Sequence, residues 1–327
     1  MLKDILEAKK CFKLVCGAGN EDATEVEKLV ALYSKAGCNF FDLCAKPEIV
    51  DAAKKGLDYS IPKDKQSDFH FCVSVGIKGD PHVSKAKIDE TKCVSCGNCQ
   101  KTCLQKAIIQ AQNSFIIDKV RCIGCGQCSK TCPIKCIEMT SENKNLKEVL
   151  PPLVKKGLGC IELHALGEDE EEVDEKWADI NACHDGITSI CIDRSKLGNE
   201  KLLKRVKRML SHRKPNTTII QADGAPMSGS DDDFKTTLQT VATAEVFQNE
   251  KLPVFILLSG GTNSKTTELA KQCGISAHGV AIGSYARMIV RDYLDREDFL
   301  QNQEIFDKAL VIAKQLVEVS MEYMGDD

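Results

Sequence analysis

The sequence predicts an α/β fold: a closed barrel of eight strand–helix units with a small domain inserted after the third strand. Three observations carry this reading. Short apolar runs rich in β-branched residues alternate with amphipathic helical patterns along the 327 residues. The alternation breaks once, in a cysteine-dense block at about 80–145. Without that block 261 residues remain, close to the ~250 of an average TIM (β/α)8-like barrel. Residues 1–79 are therefore read as the first part of the barrel, 80–145 as the insert and 146–327 as the remainder. An open doubly wound sheet is the competing arrangement, but no G-x-G-x-x-G follows the first strand.

The units run in order. Strand one, 12–16, ends at Gly17-Ala18-Gly19-Asn20, and a charged amphipathic helix starts near Asp22. Strand two is 39–44, with a helix from Pro47, and strand three is 69–77. Beyond the insert come a helix at 146–156, strand four at 159–165, a helix at 171–182 and strand five at 188–192. A helix at 200–212 precedes strand six at 217–222, and the polar loop 223–230 opens a helix capped near Asp231–Asp233. Strands seven and eight are 254–258 and 279–282, and a helical region at 287–324 closes the chain.

The insert carries the most specific signal. It reads Cys93-Val-Ser-Cys96-Gly-Asn-Cys99-Gln-Lys-Thr-Cys103 and then Cys122-Ile-Gly-Cys125-Gly-Gln-Cys128-Ser-Lys-Thr-Cys132-Pro133. Each run is C-x₂-C-x₂-C-x₃-C, the spacing of bacterial two-cluster ferredoxins, in which the fourth cysteine ligates the other cluster. The expected ligands are Cys93, Cys96, Cys99 and Cys132 for one [4Fe–4S] cluster, and Cys122, Cys125, Cys128 and Cys103 for the second. A zinc site explains one C-x₂-C pair but not four cysteines per run, twice over. The segment is itself a repeat, because Ile88-Asp-Glu-Thr-Lys-Cys93 returns 29 residues later as Ile117-Asp-Lys-Val-Arg-Cys122. Leu104 follows Cys103 where Pro133 follows Cys132. Cys136 stands at the position of Ala107, as a packing residue and a minor candidate for ligand exchange.

Composition narrows the function classes. Net charge is −4 and aromatics are only 5%, with no basic patch interleaved with aromatic residues, so nucleic-acid binding is not expected. No apolar run reaches the ~18 residues of a membrane span, and the N-terminus lacks a signal-peptide core. The ten cysteines outside the two runs are scattered through mostly apolar segments. That pattern suits free thiols in a reducing compartment and a cytoplasmic location. Residues 80–140 hold nine Lys or Arg against five Asp or Glu. Two oxidised cubanes with their thiolates add about −4, leaving basic side chains at the surface of a near-neutral insert. An acidic redox partner such as ferredoxin or flavodoxin, or an oxidoreductase, would be steered there. The plain alternative is that these lysines only solubilise the insert.

Barrel chemistry gathers at the C-terminal ends of the strands, which places Cys16, Asn20, Asp42, Cys44, Glu162, His164, Asp193, Arg194, Gln221 and Asp223 there. Strands seven and eight end in Ser259-Gly260-Gly261-Thr262-Asn263 and Gly283-Ser284-Tyr285-Ala286-Arg287. These are candidates for gripping a small anionic ligand through backbone N–H groups at helix N-termini, with Arg287 adding a bidentate contact if it turns inward. The two loops are similar to the phosphate grip of flavin-binding barrels, which makes FMN a candidate cofactor. Tight-turn glycines are the bland alternative, and the 223–230 loop is a candidate cover. Glu162 with His164 is either an acid–base pair or a histidine satisfied in the core. Cys38, Cys72, Cys160, Cys183, Cys191 and Cys273 read as small core residues, while Cys16 and Cys44 are better placed for reactivity. The acidic run 168–172 reads as a solvated helix start.

Taken together these residues resemble the LdpA family, the light-dependent period iron–sulfur proteins of cyanobacteria and other microbes. The resemblance rests on Cys16-Gly-Ala-Gly-Asn-Glu-Asp22, Ala36-Gly-Cys-Asn-Phe-Phe-Asp-Leu43, the two cysteine runs, Leu258-Ser-Gly-Gly-Thr-Asn263 and Gly283-Ser-Tyr-Ala-Arg287. It implies iron–sulfur electron transfer or redox sensing, with clock input in cyanobacteria; no residue here encodes a clock role. Two functions follow. One is an electron-transfer or redox-sensing protein whose barrel is scaffold and docking surface. The other is an oxidoreductase whose clusters pass electrons to a flavin or phosphorylated substrate at the barrel mouth. The sequence does not single out catalytic residues.

Overall fold

The computed structural model describes residues 1–80, 83–141, 144–224 and 231–325. Strands β1 (Cys11–Val15), β2 (Phe40–Cys44) and β3 (His70–Gly76) precede the insert, which contributes β4 (Ser84–Ile88), β5 (Ile108–Gln110), β6 (Phe115–Ile117) and β7 (Ile137–Ser141). They are followed by β8 (Cys160–His164), β9 (Ile187–Ile192), β10 (Thr218–Asp223), β11 (Phe255–Ser259) and β12 (Gly279–Ile282). Eight of these form a closed parallel barrel in the order β1-β12-β11-β10-β9-β8-β3-β2, with β1 also pairing β2 to complete the ring. Each barrel strand falls within one residue of its expected ends. The C-terminal helical region breaks into Ser284–Met288, Arg291–Leu294 and Gln303–Glu322.

The period of two along each strand separates two cores. Phe12, Leu14, Phe41, Leu43 and Val73 face outward and pack on helix residues such as Leu29, Tyr33, Val50, Trp177 and Leu202. Each such side chain contributes about 1.5–3 kcal/mol on burial. Inside, Cys11, Phe40, Cys72, Cys160, Ile187, Ile219 and Phe255 fill the lower lumen. The short helix Leu2–Glu7, too brief to read from periodicity, plugs that end with Leu2 and Leu6. Asp22, Asp169 and Asp233 accept N–H bonds from Glu25, Glu172 and Thr236 at 3.0, 3.0 and 2.9 Å, each cap contributing about 1 kcal/mol. The acidic run is more than a solvated start, since Glu170 also accepts from Arg205 Nε at 3.0 Å.

In the insert β4 pairs antiparallel with β7, and β5 with β6. A small core of Ala86, Ile88, Ala107, Ile108, Phe115 and Ile137 lies beside the cysteines. Among the described residues no helix is long and apolar enough to cross a membrane.

Candidate metal centres and barrel-mouth site

Two cavities in the insert are lined by thiols. The outer one brings Cys93, Cys96 and Cys99 together with Cys132 of the second run. About 300 Å³ of open space is walled by residues including Ile88, Val94, Phe115, Ile134 and Ile137. The inner one brings Cys122, Cys125 and Cys128 together with Cys103 of the first run. It holds about 370 Å³ and is walled by Ala86, Ala107, Ile108, Ile117, Ile123 and Met139 among others. Gly97 and Gly126, at φ 75° and 71°, turn the chain into the short helices that carry Cys99 and Cys128, a left-handed conformation that glycine adopts without a side-chain clash. Backbone N–H groups of Ala107 and Ala86 point at Cys103 Sγ (3.4 Å) and Cys122 Sγ (3.5 Å), bonds that stabilise thiolate charge. Four thiols converging in an apolar pocket, with N–H donors to sulfur, fit a four-iron cluster. Cys136 also lines the outer cavity, its Sγ 3.6 Å from that of Cys132.

Residues from both halves, gathered around the inner thiol set, seat the insert on the barrel mouth. Gln105 Oε1 accepts from Arg291 Nη2 at 3.0 Å and Arg287 Nη1 at 3.3 Å. Lys85 Nζ donates to the carbonyls of Cys122 (2.7 Å) and Gly19. Arg121 pairs with Asp295 at 3.1 Å, and the N–H of Glu21 reaches Val120 O at 2.9 Å. Arg291 also grips Glu25, with Nη2 3.1 Å from Oε1. Burial pushes the Glu25 carboxyl up, but the Arg291 bond, with Arg287 and Arg121 nearby, outweighs it and holds the group below the usual range.

Beneath lies a cleft of about 660 Å³, open to solvent. Its lining includes 17–19, Asp42, Ile123, His164, Cys191, Gln221, Asp223, 259–262, Gly283, Ser284 and Arg287. Ile123 borders both this cleft and the inner thiol cavity. Gly260 has φ 73°, and a Cβ there would lie 1.7 Å from Asp223 Oδ1, so only glycine fits this wall. Arg287, 3% exposed, does turn inward. Its bonds go to neutral acceptors, Gln105 Oε1 and Gly283 O.

The cleft floor is a buried polar network. Lys13 Nζ lies 2.8 Å from both Glu162 Oε2 and Gln221 Oε1 and 4.0 Å from Asp42 Oδ2. Ser189 Oγ donates to Glu162 at 2.6 Å and Ser74 Oγ to Asp42 at 2.5 Å. His164 bridges Asp80 Oδ2 (2.9 Å from Nδ1) and Glu162 Oε1 (3.2 Å from Nε2). Burial lowers the affinity of the imidazole for its proton, but Asp80 and Glu162 outweigh this and hold it well above its ordinary value. Burial likewise pushes Glu162 up, yet Lys13 and His164 bring it below the carboxylate range.

Several expected mouth residues are placed otherwise. Asn263 does not line the cleft; its Nδ2 donates to Asp231 O (2.8 Å) and Asp233 O (2.7 Å), fixing the start of the next helix. The helices after β11 and β12, Thr266–Gln272 and Ser284–Met288, span seven and five residues, too short to supply the dipole expected of a phosphate grip. Asp193 binds its own turn through Ser195 N at 3.0 Å, and Arg194 is exposed and donates to Ala242 O at 3.4 Å. Asn20 ties Cys16 O (3.1 Å) to Glu25. Cys16 and Cys44 are buried thiols, with burial raising Cys16 well above its ordinary value and Cys44 to about 11, so neither is a ready nucleophile. Cys191, expected in the core, instead faces the cleft. Residues 225–230 of the candidate cover lie outside the described residues.

Residues 86–139 match the 4Fe-4S dicluster domain, and residues 153–319 match the Light dependent period A C-terminal domain, about half of the chain. The chain belongs to the light dependent period A family. A curated relative, "Light dependent period A" of Synechococcus elongatus, is 28% identical over 336 residues, covering 98% of this chain and 94% of the relative. This member of the family is thus an iron–sulfur protein on a closed α/β barrel. Solved structures resemble the chain at low identity. A truncated 3-deoxy-D-arabino-heptulosonate 7-phosphate synthase from Thermotoga maritima gives TM-score 0.45 and 9% identity, with 94% of this chain and 87% of that chain covered. The YdjI aldolase of Escherichia coli K12 gives 0.47 and 8%, covering 100% and 97%. At such scores and identities neither carries an argument.

Sequence reasoning missed Lys13, Ser74, Asp80, Gln105, Ser189 and Arg291. Lys13 had a signal: a lone lysine inside an apolar strand, at a position whose alternate neighbours face the lumen. Gln105 and Arg291 had none, since their meeting depends on how the insert is seated.

Proposed function

We propose that the protein transfers electrons one at a time between a partner protein at the outer face of the insert and a small anionic ligand in the barrel cleft. It would do so with two [4Fe–4S] clusters, one held by Cys93, Cys96, Cys99 and Cys132, the other by Cys122, Cys125, Cys128 and Cys103. When bound, each cluster supplies one-electron chemistry at a potential set by burial and N–H···S bonding. The observation that carries the reading is Ile123, a single apolar side chain that walls the inner thiol set on one side and the cleft on the other. Val94 and Ile134, 62% and 41% exposed, give the outer set an apolar rim. With the insert's lysines around it, that rim suits docking by an acidic ferredoxin or flavodoxin.

Arg287 favours the oxidoreductase form of this reading. It is a buried cation at the cleft wall whose hydrogen bonds, among the described residues, go to neutral acceptors, while its neighbour Arg291 takes Glu25. Phosphate, a phosphorylated substrate or FMN would each give it an anion. The test is anaerobic. Purified protein should hold about eight iron and eight acid-labile sulfide. Adding phosphate or FMN should shift the reduction potential of the inner cluster more than that of the outer. Four iron under strict anaerobiosis would remove the two-cluster part. Equal potentials with and without every added anion would remove the cleft from the pathway.

A further inference from the structure

Three side chains at the cleft floor come from two adjacent strands, and no part of the electron-transfer reading uses them together. Glu162 lies at the middle of β8 and His164 at its end, and Cys191 lies on β9, with His164 directly opposite Cys191 in the register. One donor atom from each, a carboxylate oxygen, an imidazole nitrogen and a thiol sulfur, lie within 4.8 Å of one another, and all three residues are buried. His164 Nε2 and Glu162 Oε1 are 3.2 Å apart. That is about the edge of a tetrahedron whose ligands stand ~2.0–2.1 Å from a zinc ion. We propose that Glu162, His164 and Cys191 bind a single divalent ion of the zinc class, separate from the iron–sulfur thiols.

The surroundings are built as such a site needs. The other imidazole nitrogen, Nδ1, lies 2.9 Å from the Asp80 carboxylate. This carboxylate–histidine pairing fixes the tautomer and raises ligand basicity in metal centres. Glu162 is steadied by Lys13 (2.8 Å), Ser189 (2.6 Å) and Gln221 (3.0 Å). One nitrogen, one oxygen and one sulfur donor suit zinc better than magnesium or calcium, which prefer all-oxygen sets. His164 and Cys191 both line the cleft, so the fourth position opens toward it. Three protein ligands with one open position is the arrangement of catalytic rather than structural zinc. An ion here would polarise a carbonyl or bind a water of a ligand seated beneath Ile123.

The experiment uses the full chain with its clusters loaded, washed with a chelator and then dialysed against Zn²⁺. Elemental analysis should find about one zinc per chain beyond the iron, and zinc-edge X-ray absorption should find about one sulfur at ~2.3 Å with nitrogen and oxygen at ~2.0–2.1 Å. Cys191→Ser should remove the sulfur shell while leaving iron, sulfide and the visible cluster spectrum unchanged. Asp80→Asn, a change in a positioning residue, should weaken zinc binding by about 10–100-fold. No bound zinc in wild-type protein overturns the proposal. So does a shell of three or four sulfurs, which would put zinc in the cysteine runs, or a sulfur shell that survives Cys191→Ser. Absent zinc, or a sulfur shell that survives Cys191→Ser with iron and sulfide unchanged, fails the proposal while the electron-transfer reading stands; only zinc in the cysteine runs, seen as lost iron, counts against both.

Discussion

The two halves of the insert share one pattern and differ in their surroundings. Val94 and Ile123 occupy the same position of the 29-residue repeat, directly after the first cysteine of each run. Val94 is 62% exposed and Ile123 only 7%. Cys96, second in its run, is exposed, whereas its counterpart Cys125 is half-buried. The local chain conformation is the same, with Gly97 and Gly126 both left-handed, and so are Lys106 and Lys135 at φ 51° and 52°. What differs is the barrel. The outer thiol set lies toward solvent, and the inner one is fastened by Lys85, Arg121 and Gln105 to the loop after β1, the start of the next helix and the short helices Ser284–Met288 and Arg291–Leu294. A duplicated sequence has thus been given an outer and an inner end, which a relay requires and a symmetric ferredoxin lacks.

The largest test of this asymmetry is at the fourth cysteines. Cys103→Ala should strip the inner cluster, and Cys132→Ala the outer, each losing up to about four iron as the interlocked ligand pattern demands. Resonance spectra of the two variants should lose opposite signals. Loss of the local run's own cluster in both would reject the interlock.

Next in size is the seat of the inner half. Arg291→Ala should cost about 3 kcal/mol in denaturant unfolding, since it takes from buried Glu25 its closest cation and leaves Arg121 at 3.7 Å as the nearest. The pH dependence follows from the lowered folded value of Glu25. Its contribution is present in full above the ordinary 4.5 and is lost as pH falls through the lower folded value. The wild type should therefore lose stability steeply below pH 4.5, and the variant, lacking the pair, less steeply. Parallel acid limbs would show that the pair does not hold the insert in place.

Ile123→Ala beside Val94→Ala separates the ends directly. The buried residue should cost about 2–4 kcal/mol and the exposed one under about 0.5 kcal/mol. Similar values for both would place the insert free of the barrel. The smallest effect is expected at Cys136, the counterpart of Ala107. Cys136→Ala should keep its iron and change stability by about 1 kcal/mol or less, as a packing residue does. Loss of iron from the outer set would make it a ligand instead.

Much of this fold was legible because its rules are local. Strand spacing, aspartate caps and the two cysteine runs each announce themselves within a few residues, so the barrel strands fell within one residue of expectation. The cleft was legible only as a direction, the C-terminal ends of the strands. Arg287 turned inward as its position suggested, but Asn263 went to a helix start, because three acceptors on a neighbouring segment held it there. Cys191 read as a small apolar residue because nothing in its own strand distinguishes lumen from core once every residue is buried. Lys13, the centre of the floor, was visible as an oddity whose partners lie 149 and 208 residues away. Side chains meeting across such distances have no local signature.

The order in which the inner thiol set acquires its neighbours has a consequence for biogenesis. Gly19, Glu21 and Glu25 precede the insert in the chain, whereas Arg287, Arg291 and Asp295 come from its end, after the strand that closes the barrel. As the protein leaves the ribosome both cysteine runs emerge long before that closing strand. The inner pocket is then bordered on one side only, and an iron donor can approach it from the side that Arg287 and Arg291 later cover. Closing a barrel through its first and last strands is a slow, non-local event. The topology therefore leaves an interval in which metal delivery can come first and burial second.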